Sequence, residues 1–245
     1  PYQTSLQGIV QGFFPASDGV TETWNQNIRN FYRAQASYKK TIGEHNAKIL
    51  VGTQFEDNLF TDISASREGF DLDRYYLNNG DAKSAVATGG ATDWAIASFY
   101  GRINYDYDDK YLFEATGRYD GSSRFVEGQR WGFFPAVSTG WVLSKEEFME
   151  PIKDVVNFLK IRASFGILGN QDIGNYPYAS TIETGYSYWL DKQLASGVAQ
   201  NRLSNQNITW EKSQQTNFGI DANFFRNKLT TTFDYYIKDI YDMLL

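Results

Sequence analysis

Three carboxylates, Asp106, Asp108 and Asp109, stand close enough in the sequence to supply oxygen ligands to a cation such as Ca²⁺. Metal ligands must converge on one ion, whereas Asp106 and Asp108 share one face of a predicted strand beside a tight turn that contains Lys110. A solvent-exposed turn therefore explains these three carboxylates better than a cation site does. His45 is the only histidine and there is no cysteine, which argues against a zinc site or a catalytic triad. We therefore expect no metal site and no cofactor.

Two neighbouring glutamates, Glu146 and Glu147, could act as an acid–base pair. The spacing predicts instead a short helical turn over residues 144–149, with Ser144 as its N-cap and Glu147 completing a capping box. Residues 166–169 begin and end with glycine, but they lack the Lys-Ser/Thr ending of a phosphate-binding loop. We find no constellation of catalytic side chains and expect a protein that is not an enzyme.

Aromatic side chains are better candidates for ligand contact. Flat rings bind sugars through apolar C–H contacts and also anchor protein interfaces, although rings in a loop can equally pack against the loop itself. Residues 120–124 could cradle a ligand, but we favour a structural turn in which Asp120 pairs with Arg118 or Arg124. The candidate binding residues are Tyr178, Tyr186, Tyr188, Trp189 and Arg118.

The sequence predicts β-strands as the elements that position these residues. Apolar and polar residues alternate with a period of two, in pairs of segments joined by short turns. One side of these segments carries Ala, Gly, Thr, Phe and Tyr, and the other carries Asn, Gln, Ser, Arg and Asp. The paired segments are residues 30–40 with 48–55, 97–106 with 111–120, and 217–224 with 229–238.

Composition leaves two all-β architectures open, a transmembrane barrel and a soluble sandwich. Aromatic residues make up 17% of the 245 residues, yet the mean hydropathy is −0.48. No apolar run reaches the roughly 18 residues of a transmembrane helix, but a barrel strand needs only alternate apolar positions. A formal net charge of −6 argues against a nucleic-acid partner.

The composition of the two strand faces favours the barrel. Lipid tolerates the mixed apolar side, and the polar side suits a water-filled interior. Short turns alternate with long connections over residues 57–93, 121–130 and 169–207, as periplasmic turns alternate with extracellular loops. We expect roughly eight to ten strands. An open sheet of this size has unpaired edges, which lipid does not permit, so we expect part of a larger barrel.

Several segments, taken in order, resemble the SusC/RagA family of TonB-dependent outer-membrane transporters of Bacteroidetes. Each motif is short, but the order and spacing are specific from about residue 94 to the end of the chain. The segments are RINYDYDDKYL (102–112), RYDGSSRF (118–125), WGFFPA (131–136), GWVLS (140–144), LKIRASFG (159–166), GNQ (169–171), WEKS (210–213), NFGID (217–221) and DYY (234–236).

This resemblance implies an antiparallel barrel of about 22 strands with a plugged lumen, in the cell outer membrane. Residues 1–245 would be a partial barrel domain, truncated at both ends and without the signal peptide, plug or TonB box. The implied function is TonB-dependent import of glycan oligosaccharides or peptides. The implied partners are a SusD-like surface lipoprotein, outer-membrane lipid, and TonB through an absent N-terminal region. The alternatives are a soluble secreted β-sandwich that binds carbohydrate, and a small complete barrel acting as a porin or adhesin.

Overall fold

A computed structural model describes residues 3–7, 19–70, 76–180, 182–190, 193–200 and 204–244 of the chain. These residues are mostly antiparallel β-strand, which confirms the predicted fold class. Within these described ranges, four short 3-10 helices lie at Leu77–Asn79, Ala82–Ser84, Leu143–Lys145 and Glu147–Ile152. The strands are β1 (Gln3–Gln7), β2 (Gly19–Ile42), β3 (His45–Glu68), β4 (Val86–Tyr107), β5 (Tyr111–Ser122), β6 (Trp131–Val142), β7 (Val156–Asn170), β8 (Ile182–Leu190), β9 (Gln193–Gln200), β10 (Glu211–Phe224) and β11 (Leu229–Tyr241).

Nine of the described strands form one sheet in the order β1-β2-β3-β4-β5-β6-β7-β10-β11. With β8 and β9, the described residues contain eleven strands, slightly more than the eight to ten predicted. Strands β8 and β9 form a separate two-stranded sheet. The chain divides into two compact units, residues 1–32 with 55–95 and residues 33–54 with 96–245.

In the first unit, polar side chains join β2 to β3. Arg29 Nε donates to Glu56 Oε1 at 2.6 Å, and the Glu56 side chain is almost fully buried. Asn30 Nδ2 donates to Asp57 Oδ2 at 3.0 Å. Past the end of β3, the hydroxyl of Ser84 donates to the carbonyl of Glu68, which closes the following connection onto the strand. The first two contacts therefore link β2 to β3 through side chains, and the third links the connection to the end of β3.

In the second unit, alternate residues of β4 to β7, β10 and β11 form two chemically different faces. The pairings Phe99↔Tyr119 and Tyr119↔Phe133 place aromatic residues side by side, as does Phe218↔Tyr235. We call this side the apolar face; it carries Phe99, Ile103, Tyr105, Phe113, Tyr119, Phe133, Val137, Ile161, Phe165, Phe218, Ile220, Phe233 and Tyr235. The polar face carries Arg102, Asn104, Glu114, Arg118, Ser138, Arg162, Ser164, Asn217, Asp221 and Asp234.

The apolar rings of this face are exposed. Phe99, Phe133 and Phe218 expose 56%, 61% and 54% of their surface. A β-sandwich would bury such rows between two sheets. Within the described residues, the sheet therefore has the surface that a membrane-facing wall requires and that a sandwich core does not.

The two ends of the strands in the second unit differ as predicted. We call one the turn end, where residues 43–44, 108–110, 143–155 and 225–228 join neighbouring strands. The other is the loop end, formed by residues 123–130 and the connection from β7 to β10. Asp108 and Asp109 have φ of 53° and 47°, the left-handed conformation that a tight hairpin needs and that Asp tolerates.

Two predicted loops were wrong in extent. Residues 57–93 contain the last part of β3, up to Glu68, and the first part of β4, from Val86. Residues 169–207 contain the β8–β9 hairpin. Both segments are rich in Gly, Thr, Ser and Asp, which lowers strand propensity, but cross-strand pairing overrides this preference. The loop predicted at 121–130 is confirmed, because β5 ends at Ser122 and β6 begins at Trp131.

The predicted capping box was also wrong. Ser144 lies inside the 3-10 helix Leu143–Lys145, whose N-cap is Val142 and has no side-chain hydrogen bond. The 3-10 helix that follows, Glu147–Ile152, is preceded by Glu146. Glu146 instead binds aromatic side chains of neighbouring strands, and this contact sets the local geometry. His45, predicted in a turn, is the first residue of β3 and contacts the Tyr105 hydroxyl at 2.8 Å.

Candidate functional site

One row of polar side chains crosses five strands on the polar face. Asn104 pairs with Glu114, Glu114 with Ser138, Ser138 with Ser164, and Ser164 with Asn217. We call these five residues the polar row. Because each is directly opposite its neighbour, their side chains lie about 5 Å apart and can act on one ligand.

The polar row lines a groove of about 470 Å³ that also includes Lys160 and Arg162. The amide of Asn104 donates to Glu114, and Arg102 Nε lies 3.8 Å from the same carboxylate. The Asn217 side-chain oxygen is buried and has no hydrogen-bond partner among the described residues. The groove therefore presents positively and negatively charged groups and hydroxyl groups, which suit hydroxyl- or amide-bearing ligands.

Arg162 binds two carboxylates on neighbouring strands. Its Nε donates to Asp221 Oδ2 at 3.1 Å, and its terminal nitrogen lies 2.7 Å from Asp234 Oδ1. Gly219 is the residue opposite both Arg162 and Asp234. A side chain at Gly219 would overlap the guanidinium group, so glycine is what lets Arg162 cross β10 and reach β11. We call Arg162, Gly219, Asp221 and Asp234 the arginine bridge.

The Arg118 guanidinium makes hydrogen bonds and a ring contact with neighbouring side chains. Its Nε donates to Asp120 Oδ2 at 2.7 Å, which is one of the two pairings predicted for Asp120. Its Nη2 donates to Ser98 Oγ at 2.8 Å, and its guanidinium lies 5.6 Å from the centroid of the Tyr100 ring. These contacts fix the position of the cation on the polar face.

The loop end contains a buried aromatic cluster. Trp210 and Phe125 lie 5.3 Å apart between ring centroids, and Trp210 and Phe134 lie 5.2 Å apart. The indole nitrogen of Trp210 donates to the carbonyl of Arg130 at 2.8 Å, and Ile208 completes the cluster. We call Phe125, Phe134, Ile208 and Trp210 the loop-end cluster. It attaches the connection after β5 to the connection before β10.

The candidate binding residues occupy different places at the loop end. Tyr178 packs against the loop-end cluster and lies 6.2 Å from the Tyr176 ring. Tyr186 and Trp189 lie on β8 and are exposed. The backbone of Tyr188 pairs with Ala195, but its side chain lies outside the described part of the structure. Tyr178 thus belongs to packed structure, whereas Tyr186 and Trp189 are accessible.

The turn end has an aromatic cluster that the sequence analysis missed. The Tyr111 hydroxyl and the Trp141 indole nitrogen both donate to Glu146 Oε1, at 2.7 and 2.8 Å. Lys110 Nζ lies 3.5 Å from Glu146 Oε2. The Tyr111 hydrogen bond, then the Trp141 hydrogen bond and the Lys110 charge, hold the pKa of the Glu146 carboxyl below its usual value. We call Lys110, Tyr111, Trp141 and Glu146 the turn-end cluster.

The predicted acidic turn has structural contacts. Asp106 Oδ1 accepts from Asn46 Nδ2 at 2.9 Å, and Lys145 Nζ lies 3.3 Å from Asp109 Oδ2. No group of three or more potential metal ligands occurs among the residues that the structure describes. Within the same residues, there is no helix with the length and apolar composition needed to cross a membrane.

Comparison with known proteins gives consistent matches along the chain. A family model described as "TonB dependent receptor-like, beta-barrel" matches residues 2–245. TonB-dependent receptor P39 of Formosa agariphila is 34% identical over 239 residues, which are 96% of this chain and 22% of that protein. TonB-dependent receptor SusC of Bacteroides thetaiotaomicron is 32% identical over 90% of this chain and 22% of its own length.

The fold is also shared with a solved structure described as the RagAB peptide transporter. The TM-score is 0.84 and the sequence identity is 28%, over 93% of this chain and 25% of the matched chain. The chain thus spans 22% of the curated relatives P39 and SusC. The match over residues 2–245, together with the two-faced antiparallel sheet, shows that the chain belongs to the TonB dependent receptor-like, beta-barrel family.

Proposed function

We propose that this chain forms part of the wall of an outer-membrane, TonB-dependent importer. The polar face lines a water-filled lumen, and the apolar face contacts lipid. The observation that carries the proposal is the separation of these faces across the strands of the second unit, in a chain of this family. Exposed Phe and Tyr side chains on one face are stable in hydrocarbon, whereas the charged polar row requires water or a polar ligand.

We propose glycan oligosaccharides or peptides as the imported substrates. SusC and the RagAB peptide transporter are the relatives that support this choice. A SusD-like lipoprotein would capture the substrate at the loop end, and TonB would act through a part of the protein outside this chain. The groove lined by the polar row offers hydroxyl and amide groups that a passing sugar or peptide can exchange for water hydrogen bonds.

The aromatic residues of β8, of which Tyr186 and Trp189 are exposed, are the proposed first contacts. Tyr186, Tyr188 and Trp189 on β8 would contact substrate or partner, because flat rings bind both sugars and protein surfaces. Tyr178 would support this surface from the loop-end cluster. Arg118, already fixed by Asp120 and Ser98, would present its remaining donors to the lumen. None of these roles requires bond making or breaking, so the proposed activity is transport and not catalysis.

The test compares one charge placed on either face of the complete transporter. Phe99→Asp puts a carboxylate on the apolar face, where a charge costs up to about 2–4 kcal/mol for Arg or Lys at mid-bilayer, and less for Asp and nearer the interface. Ser164→Asp puts the same charge on the polar face, away from Glu114. We expect Phe99→Asp to lower the amount of heat-modifiable protein in the outer-membrane fraction, and Ser164→Asp to leave it unchanged.

Equal tolerance of the two substitutions would contradict the assignment of the faces. The choice of Ser164 over Asn104 follows from the structure, because Asn104 donates to Glu114 and an aspartate there would repel that carboxylate. Mass spectrometry of oligosaccharides and peptides that copurify with the complete transporter would identify the substrate class.

A further inference from the structure

The apolar face contains an open groove at two facing glycines. Gly101 of β4 is paired with Gly117 of β5, and both lie in the same alternating row as Phe99 and Tyr119. The groove has a volume of about 710 Å³. Phe99, Tyr119 and Phe133 line it on the loop-end side, and Val51 and Ile103 line it on the other. We call this the glycine groove.

Several strand glycines of the second unit are covered by side chains of the protein itself. On the polar face, Tyr100 lies over Gly52 and Arg162 lies over Gly219, each close enough to exclude a Cβ atom. At Gly101, an added Cβ would meet only the Leu50 carbonyl oxygen at 3.6 Å and a Val51 methyl at 4.0 Å, which are ordinary contacts. The space above Gly101 is therefore left unfilled by the chain, and something outside the chain must occupy it.

We propose that the glycine groove binds one acyl chain of a membrane lipid, an inference that rests on the proposed membrane location. The side chains that project into the groove from the apolar face carry no charge. A water molecule there would lack the two to four polar partners that ordered water needs. The lining runs across four strands, from Val51 on β3 to Phe133 on β6, so an extended hydrocarbon chain can lie over Gly101.

The volume argues against a protein occupant. A stable protein interface buries about 800 Å² on each partner, far more than a groove of this size can offer. Its size lies instead in the range of small-molecule sites, about 300–1,000 Å³. The Phe133 ring approaches the Cβ position of Gly117 at 3.3 Å, so it can close over one side of a bound chain.

The experiment uses the complete transporter in proteoliposomes that contain phosphatidylethanolamine with a photoreactive diazirine in one acyl chain. After irradiation, peptide mass spectrometry locates the cross-links. We expect the wild-type protein to concentrate them on residues 99–103 and 115–119. Gly101→Leu fills the groove and should lower the yield on these two segments about tenfold, the change that corresponds to about 1.4 kcal/mol. Gly101→Ala, which fits without moving a neighbour, should give an intermediate yield.

Thr216→Leu is the matched control, because it adds the same side chain to the apolar face on β10, opposite Phe165 and outside the groove. It should leave the cross-link pattern unchanged. A uniform distribution of cross-links over the apolar face, or an equal yield in wild type, Gly101→Ala and Gly101→Leu, would overturn the proposal. Heat-modifiable migration of the wild type tests the membrane location separately, so a failure of the groove and a failure of the proposed function are distinguishable.

Discussion

The loop end and the turn end of the second unit hold the same kinds of residue in opposite environments. At the loop end, Trp210 exposes only 3% of its surface and donates its indole N–H to a backbone carbonyl, that of Arg130. At the turn end, Trp141 exposes 39% and donates to the carboxylate of Glu146. Both indole nitrogens have a hydrogen-bond acceptor, but only the Trp210 ring is buried.

This difference shows what each end contributes. The loop-end cluster packs like the core of a soluble protein and fixes two connections that would otherwise be independent. The turn-end cluster keeps its rings on the surface and its polar atoms together, which is the arrangement that suits a membrane interface. In the proposed importer, substrate capture would need ordered loops, whereas the turns would need only to hold the strands in register.

Replacement of Trp210 should give the largest loss of stability. Trp210→Ala would leave a cavity between Phe125 and Phe134, and truncation of a buried Trp costs about 3–5 kcal/mol. Trp141→Ala, at the turn end, should cost less because the ring is already partly exposed. Urea titrations of the complete barrel in lipid vesicles would give both free energies of unfolding. Similar losses for the two variants would show that the loop-end cluster is not a core.

The arginine bridge lies between the two ends of the strands. Substitutions in it should cause an intermediate loss of stability. Arg162→Ala leaves Asp221 and Asp234 without their shared cation, at a cost of about 1–3 kcal/mol, between the values for exposed and buried ion pairs. Gly219→Ala should cost a similar amount, because the new methyl group displaces the guanidinium. A double-mutant cycle tests the cause.

In that cycle, Gly219→Ala should cost little once Arg162→Ala has removed the overlapping side chain. Ser164→Ala is the control, because Ser164 lies on the same face of β7 but opposite Asn217 and not opposite Gly219. Strictly additive losses of stability for Arg162→Ala and Gly219→Ala would contradict this explanation. They would show that the missing side chain at Gly219 is not what allows Arg162 to reach Asp234.

The local features of both ends could be predicted from the sequence. The period of two assigned Phe99, Asn104, Phe218 and Asn217 to their faces, because adjacent residues of a strand point to opposite sides. The turn at residues 108–110 was also predictable, because its signal lies within a few consecutive residues. The Asp120–Arg118 pair was one of two local alternatives, and the structure selects it.

The clusters could not be predicted, because their members are far apart in the sequence. Phe134 and Trp210 meet only after the intervening strands have paired, and Arg162 reaches a partner 72 residues away. Alternation places Phe134 on the polar face, as it does Tyr100 and Tyr236, but Phe134 has no polar group to meet water. That wholly apolar ring was an available signal of the loop-end cluster. Strand lengths were also underestimated, since pairing extends β3 and β4 through segments of low strand propensity.

Replacement of Glu146 should give the smallest change in the free energy of unfolding, and this change should depend on pH. Its pKa is held below the usual value of about 4.3, so the charged carboxylate is favoured in the folded protein. Such a group contributes stability that is present above the unfolded pKa and is lost as the pH falls through the folded pKa. Glu146→Gln keeps the shape and an acceptor for Tyr111 and Trp141 but removes the charge.

The wild-type protein should therefore be slightly more stable than Glu146→Gln at neutral pH, with the difference shrinking below about pH 4.3 and vanishing below the folded pKa. Urea titrations of both proteins in lipid vesicles at several pH values would measure this difference. Glu147→Gln, one residue further along, is the matched control and should show no comparable pH dependence of the difference. If the two variants behaved alike, the Glu146 carboxylate would be an ordinary exposed group, and the turn-end cluster would rest on its ring stacking alone, with Tyr111 and Trp141 at 6.2 Å between centroids.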